Sequence, residues 1–195
     1  MLDGEIPCPK SIVKSKLSVP TDRRFYLKIL ETERLLLRQF STDDAEFILE
    51  LLNEPSFIQN IGDRGVRTLA DASSYILNGP VASYAQNGFG LYLVALKETS
   101  ESIGMCGLIK RAGLDDVDIG YAFLPEFWSK GYAVESALAV KAYAKNAMGL
   151  HRIVAITDPA NAGSIRVIEK IGLKFERMIK LSDDDIELKL FAVEL

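Results

Sequence analysis

The 195-residue chain predicts an α+β domain, an α/β sandwich whose mixed and mostly antiparallel central sheet carries helices on both faces. Three observations predict it. Strand-like and helix-like runs interleave in the order β-α-α-β-β-β-α-β-α-β-β, three of the strands follow one another with only polar turns between them, and no internal repeat or low-complexity stretch interrupts the pattern. With 48% hydrophobic residues, the chain can bury one sizeable core but is too short for two ordinary domains.

Each element has a local reason. Alternation through Leu35 and Leu37 predicts a first strand over 28–40, and Ser41-Thr42-Asp43-Asp44 supplies an N-cap and first-turn acids for a helix reaching about Asn53. A second helical segment over 68–87 should break at Gly79-Pro80, because proline lacks the donor that a helix interior needs. Runs at 89–97, 102–111 and 117–124, parted by Glu98-Thr99-Ser100-Glu101 and by Gly113-Leu114-Asp115-Asp116, predict an antiparallel meander. Apolar residues at helical spacing over 130–147 predict a long helix stopped by Gly149. A β-branched strand over 152–157, a helix over 164–170 ending at Gly172, and strands over 173–178 and 187–193 complete the order, the last two joined through Ser182-Asp183-Asp184-Asp185.

Composition narrows the function. Twenty-seven acidic against 23 basic residues give a net charge of −4, so no basic field exists to attract nucleic acid. An acidic balance suits a positively charged acceptor, but only weakly, since many soluble domains are as acidic. Cys8 lies in an irregular leader and Cys106 in an apolar run, a pattern of reduced thiols that implies a cytoplasmic setting. The first 20 residues are broken by lysines and prolines, and no apolar run is long enough for a signal peptide or membrane span. Residues 1–27 read as a leader that docks in part elsewhere, with the domain proper over 28–195.

The chemistry concentrates in Trp128-Ser129-Lys130-Gly131-Tyr132-Ala133, a short loop between a strand and a helix start. Unpaired amides at a helix N-terminus favour phosphate oxygens, and Gly131 removes the Cβ that would hold a diphosphate away. An ordinary turn would look the same if the loop stood alone.

It does not stand alone. Gly131 and Ala133 fit the diphosphate loop Q/R-x-x-G-x-G/A, and the chain resembles the GNAT superfamily of N-acetyltransferases. Trp128 departs from the pattern's first position, but Ser129 to Glu135 is similar to the branch that contains ribosomal-protein amino-terminal acetyltransferases. The likeness runs in the family's order from Leu30-Glu31-Thr32-Glu33-Arg34-Leu35 through Ile103-Gly104, Ile119-Gly120-Tyr121 and Asn161-Ala162-Gly163-Ser164 to Lys170-Ile171-Gly172-Leu173-Lys174-Phe175, covering about residues 29–194.

The resemblance implies direct transfer from acetyl-CoA, as co-substrate, to an amine, with the thioester inserted where strands 117–124 and 152–157 splay apart. Backbone groups of Phe123 and Leu124 would then pair with the pantetheine amides. Amides of Ser129, Lys130, Gly131, Tyr132, Ala133 and Val134 would hold the diphosphate, and Asn161 would bind the pantetheine arm. An attacking amine must lose a proton, the tetrahedral oxyanion must be stabilised, and the departing thiolate must be met. Asp118 matches a strand position where some members carry a catalytic glutamate, and Glu135 is a second choice for the base. Either also reads as a structural carboxylate, Asp118 beside Asp115 and Asp116, Glu135 at a helix N-terminus. Ile168 stands where many members have a proton-donating tyrosine, whereas Ser164 matches the serine of the acetyltransferase branch.

Other conspicuous residues read first as structure. His151 is the single histidine and precedes a strand, which favours a loop role and argues against a metal site. Cys106 suits a packed thiol. Phe127, Trp128 and Tyr132 divide between acyl pocket and core, Phe57, Tyr84 and Phe89 are cleft candidates by position, and Asp183 to Asp185 form a solvated turn. The expectation is therefore an acetyl-CoA-dependent N-acetyltransferase acting on a primary amine, with a protein amino terminus as acceptor and neither nucleic acid nor membrane as partner. A small-molecule amine, a non-catalytic acyl-CoA sensor or scaffold, and a homodimer stay open.

Overall fold

The computed structural model describes residues 27–182 and 186–195, so the leader, Cys8 and the acidic run 183–185 lie outside the described residues. The strands are β1 (Lys28–Glu31), β2 (Leu35–Arg38), β3 (Leu91–Leu96), β4 (Ser102–Ile109), β5 (Val117–Phe123), β6 (Arg152–Thr157), β7 (Lys174–Ile179) and β8 (Leu188–Glu194). The helices are α1 (Ala45–Asn53), α2 (Pro55–Asn60), α3 (Leu69–Ile76), α4 (Ala82–Asn87), α5 (Tyr132–Asn146) and α6 (Ala162–Lys170). The strands form one sheet in the order β1-β2-β3-β4-β5-β6-β8-β7, antiparallel throughout except for the β5–β6 pair.

Alternation on the strands builds two core layers. On one face Val117, Ile119 and Phe123 pack with Ala137, Val140 and Ala144 of α5 and Ile168 of α6. On the other, Leu93, Met105 and Ala122 meet Ile48, Leu51 and Leu52 of α1, Phe57 of α2 and Ala72 and Ile76 of α3. Odd-numbered β5 residues thus face α5 and α6, while even-numbered ones face α1–α4.

Four expectations change at the level of elements. The run 28–40 is a hairpin, not one strand, because the Thr32 amide donates to the Leu35 carbonyl at 2.9 Å and the Leu35 amide to Thr32 Oγ1 at 3.0 Å, closing a turn at the charged pair Glu33-Arg34. A short helix, α2, follows α1, started by Pro55 at a first-turn position where its missing N–H is not needed. Gly79-Pro80 does not break the helical path: residues 77–81 widen into a π-turn that absorbs the absent donor, and α4 continues. Phe57, Tyr84 and Phe89 are core rather than cleft. Phe57 and Phe89 are buried, and Tyr84 stacks on Tyr92 at 5.5 Å and donates its hydroxyl to the Leu91 carbonyl.

The predicted cap after the first hairpin forms in full. Ser41 and Asp44 make a reciprocal capping box, and buried Asp44 also takes two bonds from Arg38, at 2.8 and 2.7 Å. That pair fixes the start of α1 against β2.

Candidate active site

The sheet opens between β5 and β6. Their parallel pairing consists of Val117 with Ile153 and Asp118 with Val154 and goes no further, although β5 stays paired with β4 as far as Phe123 and β6 with β8 as far as Thr157. The Leu124 amide donates to the Ile103 carbonyl at 3.0 Å, so by antiparallel alternation the even residues of β5 bond to β4 and the odd ones turn their backbone groups toward β6. Past the fork, both backbone groups of Tyr121 and the amide of Phe123 therefore point into the opening. This is an extended edge, ready to accept another amide-bearing chain.

Two pairings expected at this edge need correction. Leu124 cannot offer its amide, which is bound to Ile103, and its carbonyl already accepts from the Phe127 amide at 3.0 Å. The Phe123 carbonyl is capped by the indole N–H of Trp128 at 2.7 Å. Trp128 is 49% exposed and belongs to neither core nor pocket; it ties the loop to the strand end.

The loop that follows is held in an uncommon backbone shape. Ser129 and Gly131 have φ of 61° and 84°, the left-handed region that aligns successive amides into anion-binding concavities. Gly131 is the N-cap of α5, and no side chain caps the helix. The amides of Tyr132, Ala133 and Val134 consequently lack intrahelical partners, with the positive end of the helix dipole behind them. Glu135 of the first turn is not free to act as a base. Its Oε1 accepts from Thr32 Oγ1 at 2.5 Å and the Arg34 amide at 3.0 Å, and its Oε2 from Arg34 Nε at 2.6 Å. Burial pushes this carboxyl up, but the bonds from Thr32 and Arg34 outweigh it and hold it below the usual range.

Asp118 sits at the root of the fork, on the α1–α4 face. It is 1% exposed; Oδ2 pairs with Arg111 Nε at 2.5 Å, and Oδ1 has no hydrogen-bond partner. Burial pushes its carboxyl up, against the lowering pull of Arg111 and the Ile156 backbone. A buried carboxylate with one oxygen unmet is costly for folding, and such groups concentrate where protons move.

Across the fork, Asn161 and Ser164 come together at the start of α6: the Ser164 amide donates to Asn161 Oδ1 at 2.9 Å, the reach of an N-cap. Ser164 Oγ lies 3.0 Å from the Tyr121 hydroxyl, which also reaches the Ser164 carbonyl at 3.1 Å. Burial pushes the Tyr121 phenol up, so it stays protonated. Sequence reasoning missed Tyr121, although Ile119-Gly120-Tyr121 alternates its side chain onto the same face as α6. Ile168 is core at 1% exposure.

The remaining candidates are structural. Cys106 is fully buried, which pushes its thiol up to about 12. His151 is exposed, its carbonyl accepting from the Leu195 amide at 2.8 Å. Among the described residues no helix is long and apolar enough to cross a membrane.

Known proteins are similar to this chain in sequence and fold. The family described as acetyltransferase (GNAT) domain matches residues 34–174. YnaD of Bacillus subtilis (strain 168), an uncharacterized N-acetyltransferase, is 33% identical over 151 residues, which is 77% of this chain and 85% of YnaD. The crystal structure of a GNAT-family acetyltransferase from Bacillus anthracis aligns at 28% identity with a TM-score of 0.70, covering 87% of this chain and 98% of that one. RimL, a ribosomal L7/L12 alpha-N-protein acetyltransferase solved in complex with coenzyme A, aligns at 17% identity with a TM-score of 0.75 over 86% of this chain and 98% of its own, a likeness of fold.

Proposed function

The chain belongs to the GNAT family of acetyltransferases, and we propose that it transfers the acetyl group of acetyl-CoA to a primary amine, most often a peptide or protein amino terminus. The observation that carries the reading is the opened β5 edge beside the uncapped start of α5. Together they offer backbone groups to pantetheine amides and then N–H groups to a diphosphate, in the order in which those parts follow along coenzyme A.

With the pantetheine arm along Tyr121 and Phe123, the thioester lies inside the fork, between Asp118 on one face and Ser164 on the other. The neutral amine nitrogen attacks the thioester carbon from the α1–α4 side. Asp118, reached through a water because it is buried, takes the proton the nitrogen sheds. The tetrahedral adduct collapses, the carbon–sulfur bond breaks, and the thiolate leaves toward the Ser164 hydroxyl, which donates a hydrogen bond to it. Lodging attack and departure on opposite faces lets one site serve both. Acceptor choice belongs to the α1–α4 side and the loop over 61–67, and the name of the RimL neighbour supports a protein amino terminus. A cytoplasmic setting, where acetyl-CoA is made available and thiols stay reduced, suits the same reading.

An acceptor screen read by mass tests it. Peptides with free amino termini, the same peptides blocked at the terminus, and small amines are incubated with acetyl-CoA. The reading expects one acetyl mass on free-terminus peptides with release of CoA. Coenzyme A binding without turnover on any amine would make the protein a sensor instead.

A further inference from the structure

Trp128 leaves the loop without the guanidinium or amide side chain of the pattern's first position, yet a guanidinium reaches the loop from the other end of the sequence. Arg34, in the β1–β2 turn, donates Nη1 to the Lys130 carbonyl at 3.0 Å and pairs Nε and Nη2 with Glu135 Oε2, each at 2.6 Å. Its guanidinium carbon stands 4.5 Å from the centre of the Tyr132 ring, and Nη2 lies 3.3 Å from where a Cβ on Gly131 would sit. Trp128, bound to Phe123, is not available for that work.

We propose that Arg34 is a phosphate-binding and loop-positioning residue of the coenzyme A cradle. Two features of the geometry carry this. First, Arg34 ties residue 130, residue 131 and the first turn of α5 into one unit, which holds the left-handed loop in the shape that aligns its amides. Second, Nη2 lies beside the glycine at the mouth of the helix, and the guanidinium carries five N–H donors, more than its bonds to Lys130 and Glu135 take up. The side chain remains 43% exposed, open to an anion arriving from solvent. Thr32 and Glu135 act behind it, Glu135 as the carboxylate that fixes the guanidinium and Thr32 as the donor that fixes Glu135.

The inference rests on the proposed coenzyme A site, and its test keeps the two apart. Coenzyme A is titrated calorimetrically into the full-length wild type, Arg34→Met, Arg34→Lys and Glu135→Gln at low and at raised salt. Wild-type binding should weaken with salt. Arg34→Met should bind roughly tenfold to a hundredfold more weakly and lose much of that salt dependence, since a charge-assisted contact is gone. Arg34→Lys should recover part of the affinity and the salt dependence, because the charge returns without the fork, and Glu135→Gln should show a smaller loss in the same direction. Equal affinity of Arg34→Met and wild type would overturn the proposal, as would a loss that leaves the salt dependence unchanged, the mark of a merely structural part. Failure of the wild type itself to bind coenzyme A would overturn the site as a whole.

Discussion

Asp118 and Tyr121 sit three positions apart on one strand, and alternation sends their side chains to opposite faces of the sheet. The folded state raises the pKa of Asp118 above its ordinary 3.8, so any stability it gives is present below that value and is lost as pH rises through the raised one. Once ionised, the half-unmet carboxylate burdens the fold. Asp118→Asn should therefore flatten the dependence of the melting temperature on pH across the range in which Asp118 ionises, while turnover falls; an unchanged dependence would contradict this. Because the base must be ionised, wild-type kcat/KM should fall on the acid side at a pH above the ordinary aspartate range, and that limb should vanish in Asp118→Asn. Tyr121 makes a different prediction. Tyr121→Phe removes the hydroxyl that contacts both Oγ and the carbonyl of Ser164, and the general size of a hydrogen bond predicts a kcat loss of about threefold to tenfold with the acetyl-CoA KM unchanged. In steady-state kinetics, the double variant with Ser164→Ala should be no slower than Ser164→Ala alone.

Two helix starts, the capped turn that leads into α1 and the uncapped α5, show what a sequence makes legible. Ser41-Thr42-Asp43-Asp44 is legible as an N-cap with first-turn acids, and in the structure Ser41 and Asp44 go further and close a reciprocal capping box. Arg38 was not legible as its partner, since the pairing depends on how β2 lies beside α1. Asp44→Ala would remove the two charge-assisted bonds to the buried Arg38 and the cap together, and denaturant unfolding should show a loss of about 3–5 kcal/mol. The diphosphate loop was likewise readable in Gly131 and Ala133, because local chemistry dictates it. Gly131→Ala should cost about 1–2 kcal/mol of strain at its left-handed φ and weaken coenzyme A binding by calorimetry. What no local pattern could reveal were contacts between distant segments: Arg34 on Lys130 and Tyr121 on Ser164. For the same reason Glu135 stood as second choice for the base in the sequence, and only the fold shows Thr32 and Arg34 occupying it.

Across the molecule, an antiparallel sheet that is complete on both sides of one fork places a strand edge, a helix N-terminus and the side chains of Asp118 and Ser164 about one opening. The order of strands and helices was legible because each run carries its own periodicity and stop signals. The depth of the fork was not, since it depends on where β5 and β6 cease to pair. Family membership shows the acetyltransfer chemistry, while the seat of the acetyl donor is the account's own central claim, and amide hydrogen exchange with and without coenzyme A tests it most directly. The account predicts new protection at the amides of Tyr121 and Phe123 and at Tyr132, Ala133 and Val134, with Ala122 and Leu124 unchanged because theirs already bond to β4. Protection confined to other parts of the chain, or shared equally by odd and even residues of β5, would contradict it.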